Sequence, residues 1–296
     1  MLAPVPGNEM AFHVGSAAER REIIAYLKQR YTRPMRRWLP IALLLPLAAA
    51  GEYAEIHGVK MYYEIHGEGR PIVLLHGGTS SLHISFAEQV PVFAKNHRVI
   101  GIEQMGHGHT GDVAGRELSY EGMAEDTAAL LVHLGIQNAD LVGWSDGGQI
   151  ALRLAFTHPE LVRRVVASGV GIGAETPQEQ QAIRRLSADH WAPPVQAEYA
   201  QISPDGAQHW PIFFDKIKAM WAKPNWGISE PELQKIKSPV LIVAGDHDVT
   251  SVEETARIVR MIPGARLLVL PATNHFTFQK RANWLDPIVL DFLDGN

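Results

Sequence analysis

A chain of 296 residues with 46% hydrophobic content has room for one large domain or two small ones around a real core, and this is not the composition of a disordered protein. Its net charge of −5 lacks the basic excess of a nucleic-acid binder, so no nucleic-acid partner is expected. With no cysteine, a thiol nucleophile, thiolate metal ligands and disulfides are all excluded.

Taken in order, residues 1–34 form an extension in which Ser16-Ala17-Ala18-Glu19 has the pattern of a capping box leading into an amphipathic stretch over 20–31. Residues 35–50 then show the basic, apolar and small-residue zones of a secretory signal, with cleavage expected after Ala50. Export would place the mature chain in the periplasm or outside the cell. The apolar zone is too short to span a bilayer comfortably, so no stable membrane span is expected in the mature chain. Two readings of the extension stand side by side: an over-extended frame upstream of a start at Met35, or the N-terminal helix of a cytoplasmic protein.

From residue 51 the pattern becomes regular. Strands over 52–57 and 59–65 flank Gly58 as an antiparallel opening, and the first fully apolar strand, 71–75, runs into His76-Gly77-Gly78-Thr79. A helix over 82–94, a strand over 98–103, a glycine-rich loop over 104–111 and a helix over 119–134 follow. The next strands are 140–144 and 162–168. Residues 174–237 then lack strands, are broken by prolines and hold Trp191, Trp210, Trp221 and Trp226, which marks a helical cap inserted into a core made of 51–173 and 238–296. Alternation resumes with a strand over 240–245, a helix over 252–262, a strand over 266–270 and a helix over 284–293. Such alternation implies a mostly parallel sheet covered on both faces.

The strand over 140–144 runs straight into Gly143-Trp144-Ser145-Asp146-Gly147 and a helical run that His158-Pro159 stops. A strand, a sharp turn and a helix are the context a nucleophile elbow needs. A serine hydroxyl attacks well only when held clear of the backbone beside a base, and the turn that does this puts Ser145 in a rarely populated conformation. Gly143 and Gly147 fall where side chains would collide. The N-terminal N–H groups of the helix face the place where an oxyanion would form. In doubly wound sheets the partners come from loops at the carboxyl ends of strands. Two such loops hold candidates, Gly245-Asp246-His247-Asp248 and Pro271-Ala272-Thr273-Asn274-His275.

On His76-Gly77-Gly78, Gly106-x-Gly108, the elbow, Gly245-x-x-Asp248 and the late His275, the chain from about residue 52 onward resembles the α/β-hydrolase superfamily. The resemblance implies the α/β-hydrolase fold, with a mostly parallel sheet, helices on both faces and an inserted helical cap. It implies Ser145 as nucleophile, His275 as base and Asp248 as acid, with Asp246 the runner-up, and an oxyanion hole made by the N–H groups of Gly78 and Asp146. Asn274 stands where the family often has glycine, and the Glu103-led loop stands where relatives carry an Asp-led one containing Arg; Met105 in that loop is placed near the substrate. His107 and His109 are too few for a metal site, so neither metal nor cofactor is expected.

The Gly-Trp-Ser-Asp-Gly-Gly elbow is similar to that of the valacyclovir-hydrolase-like group, in which the acidic residue after the serine recognises a substrate ammonium. Carried to this chain, Asp146 either attracts a cationic amine or caps the elbow helix. Trp144, Trp191, Trp210 and Trp221 are the expected lining of a bulky apolar pocket, the plainer reading of the cap tryptophans being ordinary core. The expected reaction is hydrolysis of a small-molecule carboxylic ester or lactone through an acyl-enzyme, falling at acidic pH as His275 protonates. Resemblance to macrolide esterases extends it to opening a macrolide lactone. The alternatives are an amino-acid ester or amide hydrolase, a cofactor-free haloperoxidase or perhydrolase, and a ligand-binding relative without catalysis.

Overall fold

The computed structural model describes residues 51–173, 177–224 and 226–295, and the readings made for 1–34 and 35–50 lie outside these. Eight strands form one sheet: β1 (Glu52–Ile56), β2 (Val59–His66), β3 (Arg70–Leu75), β4 (His97–Ile102), β5 (Ala139–Trp144), β6 (Val162–Ser168), β7 (Val240–His247) and β8 (Arg266–Asn274). Their spatial order is β1-β2-β4-β3-β5-β6-β7-β8, antiparallel between β1 and β2 and between β2 and β4, and parallel from β4 to β8. The β1–β2 hairpin turns on His57 and Gly58, both at positive φ (48° and 80°), a two-residue turn whose twist suits the flanking strands.

The inner strands are apolar because both of their faces are covered. Val73, Leu75, Ile100, Leu141, Val165 and Ile242 point into one core; Ile72, Leu74, Val99, Val142, Val166 and Val243, one residue out of phase, point into the other. On the first face lie α3 (Tyr120–His133), α4 (Asp146–Thr157) and α9 (Val252–Met261); on the second lie α1 (Leu82–Phe86), α2 (Gln89–Phe93) and the long α10 (Thr277–Asp294). Between β6 and β7 come α5 (Pro177–Arg184), α6 (Pro193–Ile202), α7 (Trp210–Trp221) and the short α8 (Glu230–Leu233). Phe213, Phe214 and Ile217 of α7 are fully buried and belong to the first core, so this inserted segment is packed onto the sheet domain. Among the described residues no helix is long and apolar enough to cross a membrane.

Three of the boundaries that differ from expectation have a local reason. The helix expected over 82–94 is two short ones, since Pro91 has no N–H for the carbonyl of Ala87 and its ring would clash there. The last strand continues past residue 270 to Asn274; Pro271 is tolerated because β8 is an edge strand. The C-terminal helix begins at Thr277, seven residues before the expected start, and bends where Arg281 leaves helical geometry (φ −128°, ψ 26°).

At the opposite end of the sheet from the carboxyl termini of the strands, Asp140 is fully buried and accepts hydrogen bonds from Arg70 Nε (3.2 Å) and Arg163 Nη2 (2.6 Å). Both arginines also donate to the carbonyl of Leu293, which ties the end of α10 to β3, β5 and β6. Burial pushes the Asp140 carboxyl up, against the pull of the two guanidiniums.

Candidate active site

Ser145 sits between β5 and α4 with φ 56° and ψ −120°, a conformation that costs an L-residue about 1–3 kcal/mol. The glycines around it are obligatory at two points. A Cβ on Gly143 would lie 2.2 Å from the carbonyl oxygen of Gly147, and one on Gly147 would lie 1.9 Å from that of Leu75. The Ser145 N–H donates to Ser168 O at 2.7 Å, which ties the strained turn to β6.

His275 follows β8 and reaches back to the turn. Its Nε2 is 2.9 Å from Ser145 Oγ, and its Nδ1 is 2.7 Å from Asp248 Oδ1. The arrangement is consistent with one tautomer, in which Nδ1–H donates to the carboxylate and Nε2 accepts from the hydroxyl. The Asp248 side chain is 0% exposed and also accepts from the Val249 N–H at 2.7 Å. Burial works to raise its pKa, yet the charge and hydrogen bond of His275 outweigh this and hold it below the usual value. The runner-up serves the backbone instead. Asp246 accepts from the N–H groups of Ala272 and Thr273, at 2.9 Å each, and so closes the end of β8.

Two further contacts hold the imidazole. Trp144 donates its indole N–H to His275 O at 2.7 Å, and its ring, 5% exposed, packs in the second core against Phe276. This corrects the expectation that Trp144 lines the substrate pocket: its ring points to the face of the sheet away from the first core because its neighbours in β5 alternate, and it supports the histidine. Gly169, just past the end of β6 and at φ +66°, faces the ring, and a Cβ there would be 2.7 Å from His275 Cε1.

Gly78 lies against the start of α4, where its hypothetical Cβ would meet Asp146 Oδ2 at 2.3 Å. Asp146 is the first residue of that helix, so its N–H has no intrahelical acceptor. Its carboxylate, 7% exposed, neither caps the helix nor stands open: it accepts from Tyr120 Oη (2.7 Å) and from Trp221 Nε1 (3.0 and 3.2 Å). Burial pushes this carboxyl up, opposed by hydrogen bonds from Tyr120 and Trp221. Sequence reasoning misses Tyr120; its only local signal is a place just after the Ser119 N-cap, which says nothing about a partner 26 residues away.

The remaining expected lining residues divide. Trp191 and Trp221 are partly exposed, their ring centroids 5.7 Å apart, and both reach the oxyanion-side loop. Trp210 is 5% exposed, donates to Ala188 O and packs on Tyr199, Phe213 and Phe214, so it is interior to the cap. Met105 is 3% exposed within the first core. Nearby, Glu103 is buried and accepts from the N–H groups of Leu82 and His109 and from the His109 ring, an organising role for the residue that heads the glycine-rich loop. His76 accepts the Gln104 N–H on Nε2, so its Nδ1–H donates to Gly77 O, and burial keeps the ring below its usual pKa. Among the described residues no three His, Asp or Glu side chains gather as metal ligands.

A mostly parallel sheet with a strained serine at the carboxyl end of an inner strand, facing a histidine and an aspartate from later loops, defines the class, and comparison agrees: residues 72–285 match the model of the alpha/beta hydrolase family, to which the chain belongs. Among its relatives, it is 28% identical over 268 residues to 2-hydroxymuconate semialdehyde hydrolase of Pseudomonas putida, covering 83% of this chain and 92% of that one. It is 27% identical over 292 residues to the serine hydrolase BPHL of Mus musculus, covering 95% and 98%. The solved enol-lactonase from Burkholderia xenovorans LB400 superposes with a TM-score of 0.64 at 25% identity, covering 82% of this chain and 99% of that one.

Proposed function

We propose that the protein is a serine hydrolase that cleaves a carboxylic ester or lactone through an acyl-enzyme. The observation that carries this is the continuous run of hydrogen bonds from Asp248 through His275 to Ser145 Oγ. In this reading His275 takes the Ser145 proton as Oγ attacks the carbonyl carbon, and Asp248 orients the ring and stabilises the imidazolium. The N–H groups of Gly78 and Asp146 hold the oxyanion. Collapse of the tetrahedral intermediate expels the alcohol with the proton from His275; a water activated by the same imidazole then releases the acid and restores Ser145. The resemblance to an enol-lactonase supports including lactones.

Turnover of p-nitrophenyl acetate by wild type and by Ser145→Ala tests the chemistry: the variant should lose at least about a thousandfold in kcat/KM. Equal turnover by both would refute it. For the substrate, a panel of simple lactones, amino-acid esters and a macrolide lactone should be screened by mass, since ring opening adds one water. An amino-bearing substrate is the second reading, supported by the likeness to serine hydrolase BPHL; it would require the Asp146 carboxylate to exchange its hydrogen bonds from Tyr120 and Trp221 for the ammonium. Export directed by residues 35–50 is proposed with it. Sequencing the N-terminus of the protein from its native cell should then show a chain beginning at Gly51; one beginning at Met1 or Leu2 would end that proposal.

A further inference from the structure

The inserted helical segment touches the residues of the proposed oxyanion hole through two neighbouring indoles, their ring centroids 5.7 Å apart. Trp221, the last residue of α7, donates Nε1–H to both carboxylate oxygens of Asp146, at 3.0 and 3.2 Å. Trp191 donates Nε1–H to Thr79 Oγ1 at 2.9 Å, and that hydroxyl donates onward to the carbonyl of Gly78 at 2.6 Å. The two residues whose N–H groups are assigned to the oxyanion are therefore each gripped from the cap, Asp146 through its side chain and Gly78 through its carbonyl. The fit is close enough that a Cβ on Gly78 would lie 2.6 Å from the Trp221 ring.

A second observation concerns Thr79. It is 6% exposed and has φ +60°, a region that β-branched residues rarely occupy. Glycine or asparagine would relieve that strain, but neither would place a hydroxyl between Trp191 and Gly78. Strain held at a buried polar relay beside a proposed catalytic loop marks a geometry that the surrounding structure enforces.

We infer that Trp191 and Trp221 are positioning residues that preorganise the oxyanion hole from the cap, so that cap placement sets the rate of the chemical step as well as the shape of the binding site. The inference rests on the hydrolase reading above. Hydrogen-bond donors aimed at a developing oxyanion act only when fixed beforehand, and losing one costs roughly a hundred- to a thousandfold in rate; loosening one should cost less.

The test uses the full chain and p-nitrophenyl acetate, whose acyl group is too small to gain from a bulky pocket. Trp191→Phe and Trp221→Phe keep an aromatic ring and lose the N–H. Each should lower kcat by about tenfold with KM within about twofold, and weaken a trifluoromethyl ketone, which forms the tetrahedral adduct, by the same factor. Thr79→Val breaks the relay without touching the cap. It should match Trp191→Phe, and the Thr79→Val/Trp191→Phe double variant should be no slower than either alone, because both cut one path. If a tryptophan variant fails to fold, the same losses in kcat and in ketone affinity are read in Thr79→Val alone. Unchanged kcat and ketone affinity in folded variants, with KM changed only for bulky esters, would overturn the inference while leaving the hydrolase reading intact. Absence of Ser145-dependent turnover in the wild type would overturn both.

Discussion

A single methyl group probes the candidate site most sharply at Gly169. Its Cβ would press on His275 Cε1 at 2.7 Å from a backbone already at positive φ, so Gly169→Ala must either shift the imidazole or strain β6. We expect kcat/KM for p-nitrophenyl acetate to fall by about a hundredfold, since ångström-scale misplacement costs that much. Wild-type kinetics would show that the ring yields freely. The two aspartates after β7 are separable in the same assay. Asp248→Asn leaves His275 without its carboxylate and should cost about 10⁴-fold in kcat, whereas Asp246→Asn should keep kcat within about threefold and lower stability instead. Reversed results would exchange the two roles. The loops that carry Ser145, Asp248 and His275 were legible in the sequence because strand-end loops converge in a parallel sheet, while the choice of Asp248 over Asp246 came from the resemblance to the family. The contacts made by Trp144, Tyr120 and the Asp146 carboxylate were not. Each depends on which way a side chain leaves its element and on a partner far along the chain, and local pattern carries neither.

Among the elements, α10 bears two testable features. Asp286 is 5% exposed on its inner side and accepts from Gln89 Nε2 at 2.9 Å; burial pushes its carboxyl up to about 6 from an ordinary 3.8. Because the folded chain holds this proton more tightly than the unfolded one, stability from this group is fully present below about pH 4 and is lost as pH rises through about 6. Asp286→Asn keeps an acceptor for Gln89 without the buried charge. It should raise Tm at pH 8 by about 3 °C, with the gain vanishing near pH 4, as scanning calorimetry would record. A gain independent of pH would exclude the charge as its cause. At the far end of the helix, Asp140→Ala removes the buried carboxylate that the partly exposed Arg70 and Arg163 share and should destabilise by about 1–3 kcal/mol in urea unfolding; a loss under about 0.5 kcal/mol would mean that the Leu293 carbonyl and, for Arg70, Asp294 satisfy them. The strands themselves were readable as apolar runs. The shifted ends at Pro91, Pro271 and Arg281 were not, since whether a proline breaks or is tolerated depends on an edge position or a helix start that only the assembled sheet defines.

At the scale of the whole described domain, the segment between β6 and β7 is bound to the sheet by polar contacts as well as by its aromatic core. Asp112 accepts from Lys216 at 2.7 Å and pairs with His209 at 2.9 Å, and Glu198 accepts from Ser81 at 2.7 Å. Its helical character was readable from its prolines and from the absence of strand pattern. Its reach into the oxyanion-side loop was not, because tryptophans that pack and tryptophans that donate to a site look alike in sequence. All of the proposed chemistry depends on Ser145 being an activated nucleophile. Peptide mapping after reaction with a fluorophosphonate asks that most directly. The proposed mechanism predicts one adduct per chain, on Ser145, slowed at least about a hundredfold in His275→Ala; a wild-type chain that stays unlabelled, or carries the label on another residue, would contradict it.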